Sequence, residues 1–331
     1  MRPLNALDVK IEEVICCPVC HSGGKQLYKN LQDRLFNTNG NWSFSKCSTC
    51  QTVWLNFRPQ KEDIQKYYFD YFTHGDRNEA ECGLKTKYSI KTKILDLILF
   101  KRRIERDLYG KARLIPLKPP GRILDIGCGD GSYMDWMRKN GWDVIGCEPD
   151  PKAAHIAKTR LGLNVINAAF EDLKYPPNSF DAITLNHVIE HVYDPKDVII
   201  RCFELLKFNG KLAIITPNIS SFGHNVYKSS WFNLDPPRHI VIFSPETLCS
   251  VLKECKFTIQ MAGTSTWSAR WSFGNSSCIR INGRVINDSS VLKNMYVDRI
   301  KRLIFVFIAH YGNIIMKNIG EEIGILAIKE K

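Results

Sequence analysis

The stretch Leu124-Asp-Ile-Gly127-Cys-Gly129-Asp-Gly131-Ser132 decides the fold of this 331-residue chain. It begins within a short apolar strand and passes through glycines at alternate positions into a predicted helix. Small residues let the backbone approach a ligand closely, and the free amides at the beginning of a helix attract anions. Gly127, Gly129 and Gly131 are therefore predicted to bind an anionic group of a cofactor.

Strand and helix patterns alternate on both sides of this stretch. Strands are predicted over 122–126, 143–147, 164–167, 181–185, 211–216 and 257–262, and a last edge strand over Gly324–Lys329. Helices fill most of the intervals, and 263–318 reads as a helical insertion. Regular β–α alternation predicts an α/β fold with a mostly parallel, seven-stranded sheet covered by helices on both faces.

Acidic residues follow the second and third predicted strands. Glu148 ends the second strand, where a carboxylate can accept both hydroxyls of a ribose. Glu171 and Asp172 follow the third strand and suit the amino group of an adenine, and Asp125 is placed to orient the glycine loop. A nicotinamide dinucleotide site has similar features, but its pattern favours Gly or Ala where Ser132 stands.

Four cysteines form two Cys-x-x-Cys pairs near the beginning of the sequence, Cys17 with Cys20 and Cys47 with Cys50. Each pair can present two thiolates to one ion, so the two pairs predict a tetrahedral, closed zinc site with a structural role. Redox or incidental cysteines are the alternative reading. About 50 residues bury little core, and a metal would therefore supply folding energy.

The motifs, taken in order, resemble those of class I S-adenosylmethionine-dependent methyltransferases. The resemblance rests on the glycine stretch, 178–183, 186–195, 205–210 and Thr216-Pro217-Asn218. It implies the Rossmann-like class I fold with an N-terminal zinc-ribbon-like module, S-adenosylmethionine as cofactor, and a cofactor contact from Asn186. The two cysteine pairs, Tyr67-Tyr68 and 235–244 also resemble bacterial methyltransferases of polysaccharide and cell-surface glycan synthesis. An acceptor in a sugar or glycan precursor is therefore expected, methylated on a hydroxyl or a carbon.

Two histidines are candidate catalytic groups, because an imidazole can remove a proton from an acceptor near neutral pH. His239 precedes Phe243-Ser244, and zinc-module sugar C-methyltransferases have a catalytic histidine in a similar segment. Their glutamate is replaced here by Arg238. His187 belongs to a group with Glu190 and His191, which resembles a divalent-metal segment of quinone-pathway O-methyltransferases. Structural roles for all of these side chains remain the alternative.

The chain divides into a zinc module over 1–60, a basic helical linker over 61–120 and the methyltransferase domain over 121–331. A formal net charge of +12 favours anionic partners such as nucleic acid, acidic lipid or a phosphorylated substrate. A zinc-ribbon ribosomal-RNA methyltransferase is accordingly the alternative function, although no RNA-reading motif is present. A third hypothesis is that the protein binds a partner without catalysing a reaction. The first residues lack the apolar segment of a secretory signal, so we expect a cytoplasmic protein, free or bound at the inner membrane face.

Overall fold

A computed structural model of the chain describes residues 9–68, 113–286 and 296–330. Most of the predicted basic helical linker over 61–120 lies outside these residues. Its described beginning holds a short 3-10 turn, Ile64–Tyr67. Strands and helices are numbered below along the described residues.

A seven-stranded sheet forms the centre of the molecule. Its strands are β6 (Arg122–Ile126), β7 (Asp143–Cys147), β8 (Val165–Ile166), β9 (Phe180–Asn186), β10 (Leu206–Pro217), β12 (Phe257–Ser265) and β13 (Glu322–Lys329). They lie in the order β12-β13-β10-β9-β6-β7-β8. β13 runs antiparallel to both of its neighbours, whereas the pairs from β10 to β8 are parallel. The predicted Rossmann-like, mostly parallel sheet is thus confirmed.

One prediction about this sheet is wrong. The last strand was expected at an edge, but β13 lies between β10 and β12, and β12 occupies the edge. The burial of β13 agrees with an interior position, since its residues from Glu322 to Leu326 are buried. An interior strand is covered on both faces and therefore reads as a continuous apolar run.

Helices α1 (Ser132–Lys139), α2 (Pro151–Leu161), α3 (Pro195–Leu205) and α5 (Pro245–Glu254) connect the strands. Three of them begin with the same local signal, a capping side chain followed by proline at the first helical position. Asp150, Asp194 and Ser244 accept hydrogen bonds from the free amides of the first turn. Such caps fix where each helix begins, and with it the length of the preceding loop at the carboxyl edge of the sheet.

The N-terminal residues build two small sheets. β1 (Ile11–Glu13) pairs with β5 (Phe57–Pro59), and β2 (Gly24–Leu31), β3 (Trp42–Cys47) and β4 (Val53–Leu55) form an antiparallel meander. A fourth strand, β11 (Val241–Ile242), joins the meander from the far end of the chain and pairs with β4. The N-terminal module therefore shares a sheet with the loop that follows His239.

Residues 263–265 complete β12, and the described part of the segment 266–318 is mostly helical. α4 (Phe222–Tyr227) lies before it, and it contains α6 (Ala269–Asn282) and α7 (Tyr296–Ile315). α6 packs against both α4 and α7. Within the described ranges, none of the helices has the length and apolar character required to cross a bilayer.

A single cluster of buried apolar side chains connects the two regions. It includes Phe44 and Trp54 of the meander together with Ile214 of β10 and Phe243. The module thus packs directly on the large domain instead of enclosing a separate core. Burial of this shared apolar surface stabilises both parts together.

Candidate functional site

The glycine loop after β6 has the backbone shape that only glycine adopts easily. Gly127, Gly129 and Gly131 have φ values of 65°, 57° and 78°. A Cβ on Gly127 would lie 2.6 Å from Val188 Cγ2, and one on Gly131 would lie 2.5 Å from Leu163 Cδ1. The loop is also tied to β7, because the amides of Gly127 and Cys128 donate to the carbonyl of Cys147. A small-residue cradle is therefore preformed where the sequence predicts cofactor binding.

Glu148 lies beside this cradle at the end of β7. One carboxylate oxygen accepts a hydrogen bond from the Gly129 amide at 2.8 Å, and the other accepts from the Asp150 amide at 3.0 Å. Burial of the side chain raises the pKa of Glu148, and these two amide donors oppose that effect. A carboxylate that already bridges the loop and the strand has lone pairs left for hydroxyl donors. The arrangement therefore fits an adenosyl ribose.

Asp125 has a different set of partners from the one expected. Its carboxylate accepts from the Arg113 guanidinium at 3.0 Å and from the Thr184 hydroxyl at 2.6 Å. Burial raises the pKa of Asp125, and Arg113 counteracts this by favouring the charged form. The Arg113 guanidinium also lies over the Tyr133 ring, 4.1 Å from its centroid. Asp125 thus orders the side chains beneath the loop, whereas its hydrogen bonds do not reach the loop amides.

The other predicted cofactor contacts border the same edge of the sheet. Glu171 and Asp172 are exposed in a 3-10 turn after β8. The Glu171 carboxylate forms an ion pair with Lys61 at 2.9 Å, which ties this turn to the N-terminal region. Asn186 ends β9 and is half-buried. All of these predicted contacts thus lie at the carboxyl ends of neighbouring strands, where ligands bind in open α/β sheets. They are the glycine loop, Glu148, the turn that holds Glu171 and Asp172, and Asn186.

The four predicted metal ligands converge at one point. The Cys20 Sγ lies 3.4 Å from both the Cys47 Sγ and the Cys50 Sγ, and the Cys17 Sγ lies 3.6 Å from the Cys50 Sγ. Tetrahedral zinc with Zn–S bonds of about 2.3 Å requires sulfur separations of about 3.8 Å. The Thr49 and Cys50 amides also point at Cys47 Sγ at 3.4 Å, a contact that stabilises a thiolate. The cluster therefore fits a small structural zinc module.

The segment after β9 connects the glycine loop to the second half of the site. Val188 lies against Gly127, as noted above, and the His191 ring lies 4.7 Å from the His239 ring, centroid to centroid. The Ile240 amide donates to the Glu190 carbonyl at 2.9 Å, which fixes the loop that carries His239. The predicted base is therefore brought to the same edge of the sheet as the predicted cofactor cradle.

His239 is held in one tautomer by the backbone. Its Nδ1 lies 2.7 Å from the carbonyl oxygen of Asn233, which can only accept, so Nδ1 carries the proton. Nε2 then has a free lone pair. His191 is arranged similarly, with Nδ1 2.9 Å from the carbonyl of Arg238. Burial, followed by the neighbouring His239, lowers the pKa of His191 to about 4, so this ring is neutral at neutral pH.

His187 has a different environment from His239. Its Nδ1 lies 3.2 Å from a Glu190 carboxylate oxygen and its Nε2 lies 3.4 Å from one of Glu322. Burial opposes the charge, but the two carboxylates outweigh it and raise the pKa of His187. With 42% of the side chain exposed, water screens part of this effect. A doubly hydrogen-bonded imidazolium has no lone pair to accept a proton, so His187 here orients carboxylates.

Glu190 is fully buried between these groups. Burial disfavours its charge, yet His187 holds the pKa of Glu190 near 2, and the Thr216 hydroxyl donates to it at 2.9 Å. The fold brings together a different set of possible metal ligands from the set proposed from the sequence. Ligand atoms of Glu190, His191 and His239 lie within 4.8 Å of one another, whereas His187 is not a member. Two imidazoles and a carboxylate are ligands that divalent transition metals accept.

A buried ion cluster connects this loop to the N-terminal module. Arg238 is fully buried and donates to both carboxylate oxygens of Asp33, at 2.7 and 3.0 Å, and to both of Asp235. The Thr38 hydroxyl also donates a hydrogen bond to the Asp33 carboxylate, at 2.6 Å. Paired charges of this kind fix a geometry because the partners leave no alternative arrangement. Sequence reasoning missed Asp33, whose partner lies 205 positions away and leaves no local signal.

Two ring side chains near this loop, Trp231 and His224, are part of the core. Trp231 is fully buried and donates its indole N–H to Glu321 at 3.2 Å. His224 is buried and contacts the Tyr28 hydroxyl of β2 at 2.9 Å. The His224 contact joins the large domain to the module, and we assign both side chains a structural role.

Comparison with known proteins agrees with the fold and the cofactor class. Residues 100–261 match the family model described as a methyltransferase domain. Over 117 residues the chain is 33% identical to a ubiquinone biosynthesis O-methyltransferase of Cereibacter sphaeroides. It is 34% identical over 102 residues to the mitochondrial ubiquinone biosynthesis O-methyltransferase of Schizosaccharomyces pombe. These matches cover 33% and 29% of this chain, and 47% and 37% of the relatives, so the chain spans less than half their length.

Solved structures with the same general fold have low sequence identity to this chain. A methyltransferase from Archaeoglobus fulgidus is 22% identical, with a TM-score of 0.45 over 72% of this chain and 99% of that one. One from Mesorhizobium loti is 14% identical, with a TM-score of 0.45 over 67% and 97%. The curated relatives bear names from ubiquinone biosynthesis and give no support to the expected likeness to glycan enzymes. The chain carries a methyltransferase domain of Rossmann-like fold, which the family model matches over residues 100–261.

Proposed function

We propose that this protein transfers a methyl group from S-adenosylmethionine to a hydroxyl of a small acceptor, with His239 as the general base. The observation that carries the proposal is the tautomer of His239, which directs a free Nε2 lone pair away from the Asn233 carbonyl. Oxygen acceptors need a proton removed as they attack, and a neutral imidazole performs this near neutral pH. The curated relatives, named as O-methyltransferases, support the same class of acceptor atom.

The residues divide the work between binding and proton transfer. Bound S-adenosylmethionine supplies an electrophilic methyl group on a sulfonium sulfur. The glycine loop lets the cofactor lie close to the backbone, and the Glu148 carboxylate binds its ribose hydroxyls. His239 Nε2 removes the hydroxyl proton while the oxygen attacks, and neutral His191 keeps a second positive charge from opposing that transfer. His187, Glu190 and Thr216 order the floor beneath the acceptor.

The acceptor class is the finer part of the proposal. The relatives favour a phenolic ring with an apolar tail, whereas the sequence resemblance favours a sugar hydroxyl. The Glu190, His191 and His239 group gives an alternative to the base: a divalent cation held there would take the His239 Nε2 lone pair and would bind a catechol through its two oxygens. The basic net charge keeps RNA as a third acceptor to be tested.

The experiment is a labelled-methyl transfer assay on the purified chain. Prenylated catechols, nucleotide sugars and ribosomal RNA are offered in parallel, with and without added divalent metal. The proposal expects label on a hydroxyl of one small acceptor class. Label on a base nitrogen of RNA, or S-adenosylmethionine binding without transfer to any hydroxyl acceptor, would contradict it.

A further inference from the structure

Helix α7 has two apolar faces, and only one of them packs on the described part of the protein. Phe305, Val306, Ala309 and His310 are buried at helical spacing. Phe305 contacts the Phe222 and Phe273 rings of α4 and α6, with centroids 5.0 and 5.1 Å apart. This buried stripe accounts for the position of α7 on the domain. It does not account for the apolar residues on the other side.

The second face carries exposed apolar side chains from Leu303 to Ile315. It is formed by six large side chains and defined here as the outer face of α7: Leu303, Ile304, Phe307, Ile308, Ile314 and Ile315. Phe307 is 56% exposed and Ile304 is 52% exposed. Spacings of one, three, four and seven residues place these side chains on one side of a helix, opposite the buried stripe. A contiguous exposed apolar patch of this kind marks an interaction surface.

The formal charges within the segment from Lys301 to Lys317 are all positive. Lys301 precedes it and Lys317 follows it, and both are exposed. The sequence between these two lysines contains neither Asp nor Glu, and the chain carries a formal net charge of +12. An apolar stripe flanked by lysines is complementary to an apolar surface that is negatively charged at its boundary with water. An anionic lipid bilayer has this combination.

We propose that the outer face of α7 docks the protein on anionic lipid bilayers, with the helix lying parallel to the membrane surface. The buried stripe stays on the protein, so only the outer side chains enter the headgroup and acyl boundary. Lys301 and Lys317 remain at headgroup level and pair with lipid phosphates. The Thr266 hydroxyl contacts His310 of α7, which places the next residue, Trp267, beside the helix. Trp267 is 42% exposed and adds an aromatic side chain at the edge of the outer face, of the kind enriched at membrane–water interfaces.

The same helix is connected to the acceptor end of the central sheet. Asn218, two residues beyond Thr216, donates its side-chain amide to the carbonyls of Asn318 and Gly320, just after α7. The Asn313 side-chain oxygen of α7 accepts hydrogen bonds from the Ile319 and Gly320 amides, each at 3.0 Å. Docking through α7 therefore brings the carboxyl edge of the sheet toward the bilayer. An acceptor with an apolar tail could then enter from the membrane.

The test is flotation of the purified full chain with vesicles of phosphatidylcholine alone or with 30% phosphatidylglycerol. We expect binding to the anionic vesicles that weakens with salt. The double variant Ile304→Glu, Phe307→Glu should reduce bound protein at least tenfold, because each carboxylate would have to enter an apolar, negatively charged boundary. The matched control is Phe208→Glu on β10, where the wild-type side chain is 62% exposed, and it should float like wild type.

Two results would overturn the proposal. One is equal flotation of the double variant and wild type. The other is a wild-type dimer in sedimentation that becomes monomeric in the double variant while neither binds vesicles, which would assign the outer face to a second copy of the chain. Binding of S-adenosylmethionine by the variants checks that they are folded. Since flotation needs no methyl transfer, failure of this proposal and failure of the proposed activity remain distinguishable.

Discussion

His239 combines the features of a base that has been set in place before substrate arrives. Its Nδ1 is committed to the Asn233 carbonyl, and the ring is buried beside neutral His191. The sequence alone singled out His239 and His187 for the same role. The fold separates them, because carboxylates occupy both nitrogens of His187.

Replacement of His239 tests this assignment at the residue scale. His239→Gln keeps a side chain of similar reach but removes the imidazole nitrogen that accepts the proton. Turnover should fall by a factor of about 10² to 10⁴, the usual contribution of a general base, while S-adenosylmethionine affinity stays within twofold. Steady-state kinetics and calorimetry measure the two quantities. Turnover equal to wild type would exclude His239 as the base.

His224 makes a residue-scale prediction about stability. Burial lowers its pKa from 6.5 to about 4, so the folded state keeps this imidazole neutral where the unfolded chain binds a proton. Stability from His224 is therefore fully present above about pH 6.5 and is lost as the pH falls toward 4, by about 1.4 kcal/mol per pH unit. His224→Gln should flatten the pH dependence of the free energy of unfolding in urea over this range. An unchanged slope would contradict the assignment.

At the scale of elements, local signals predicted the central sheet well. Glycine spacing, capping residues and apolar runs lie within a few positions of the structure that they determine. β11 was missed because it has only two residues, and its partner residues in β4 are about 190 positions away. The place of β13 was wrong for a related reason, since the neighbours of a strand are chosen by the whole sheet. The Asp33–Arg238 contact is equally non-local.

The buried Arg238 cluster gives the prediction at this scale. Asp33→Asn should lower the free energy of unfolding by about 3 kcal/mol, because it removes one partner of a fully buried charge. Glu12→Gln is the matched control in the same module. It breaks the Glu12–Arg58 pair, whose glutamate side chain is 37% exposed, and should cost less than about 1 kcal/mol. Equal effects in urea denaturation would show that the cluster has no special structural role.

At the scale of the whole molecule, we expect the N-terminal module and the methyltransferase domain to unfold as one cooperative unit. They share the β2-β3-β4-β11 sheet and a continuous apolar core. The Thr247 hydroxyl at the beginning of α5 donates to the Cys50 carbonyl, which ties the metal turn directly to a domain helix. The sequence analysis predicted both parts but placed a domain boundary near residue 60, because no local pattern indicates that β11, which begins at Val241, pairs with the module.

Removal of the metal tests this unity. We expect one zinc per chain, and chelation should lower the melting temperature of the whole protein in a single transition. Cys50→Ser should lose the metal, whereas Cys16→Ser, an exposed neighbour outside the cluster, should retain it. Metal analysis and calorimetry provide the readouts. Two separate melting transitions would show that the module folds independently of the domain.

The central claim is that the glycine loop and Glu148 bind S-adenosylmethionine, and titration calorimetry tests it most directly. The wild-type chain should bind one equivalent and should not bind NAD. Glu148→Ala should weaken the affinity more than about tenfold, because charge-assisted hydrogen bonds to the ribose are lost. Absence of binding by the folded wild-type chain, or an affinity unchanged in Glu148→Ala, would contradict the account.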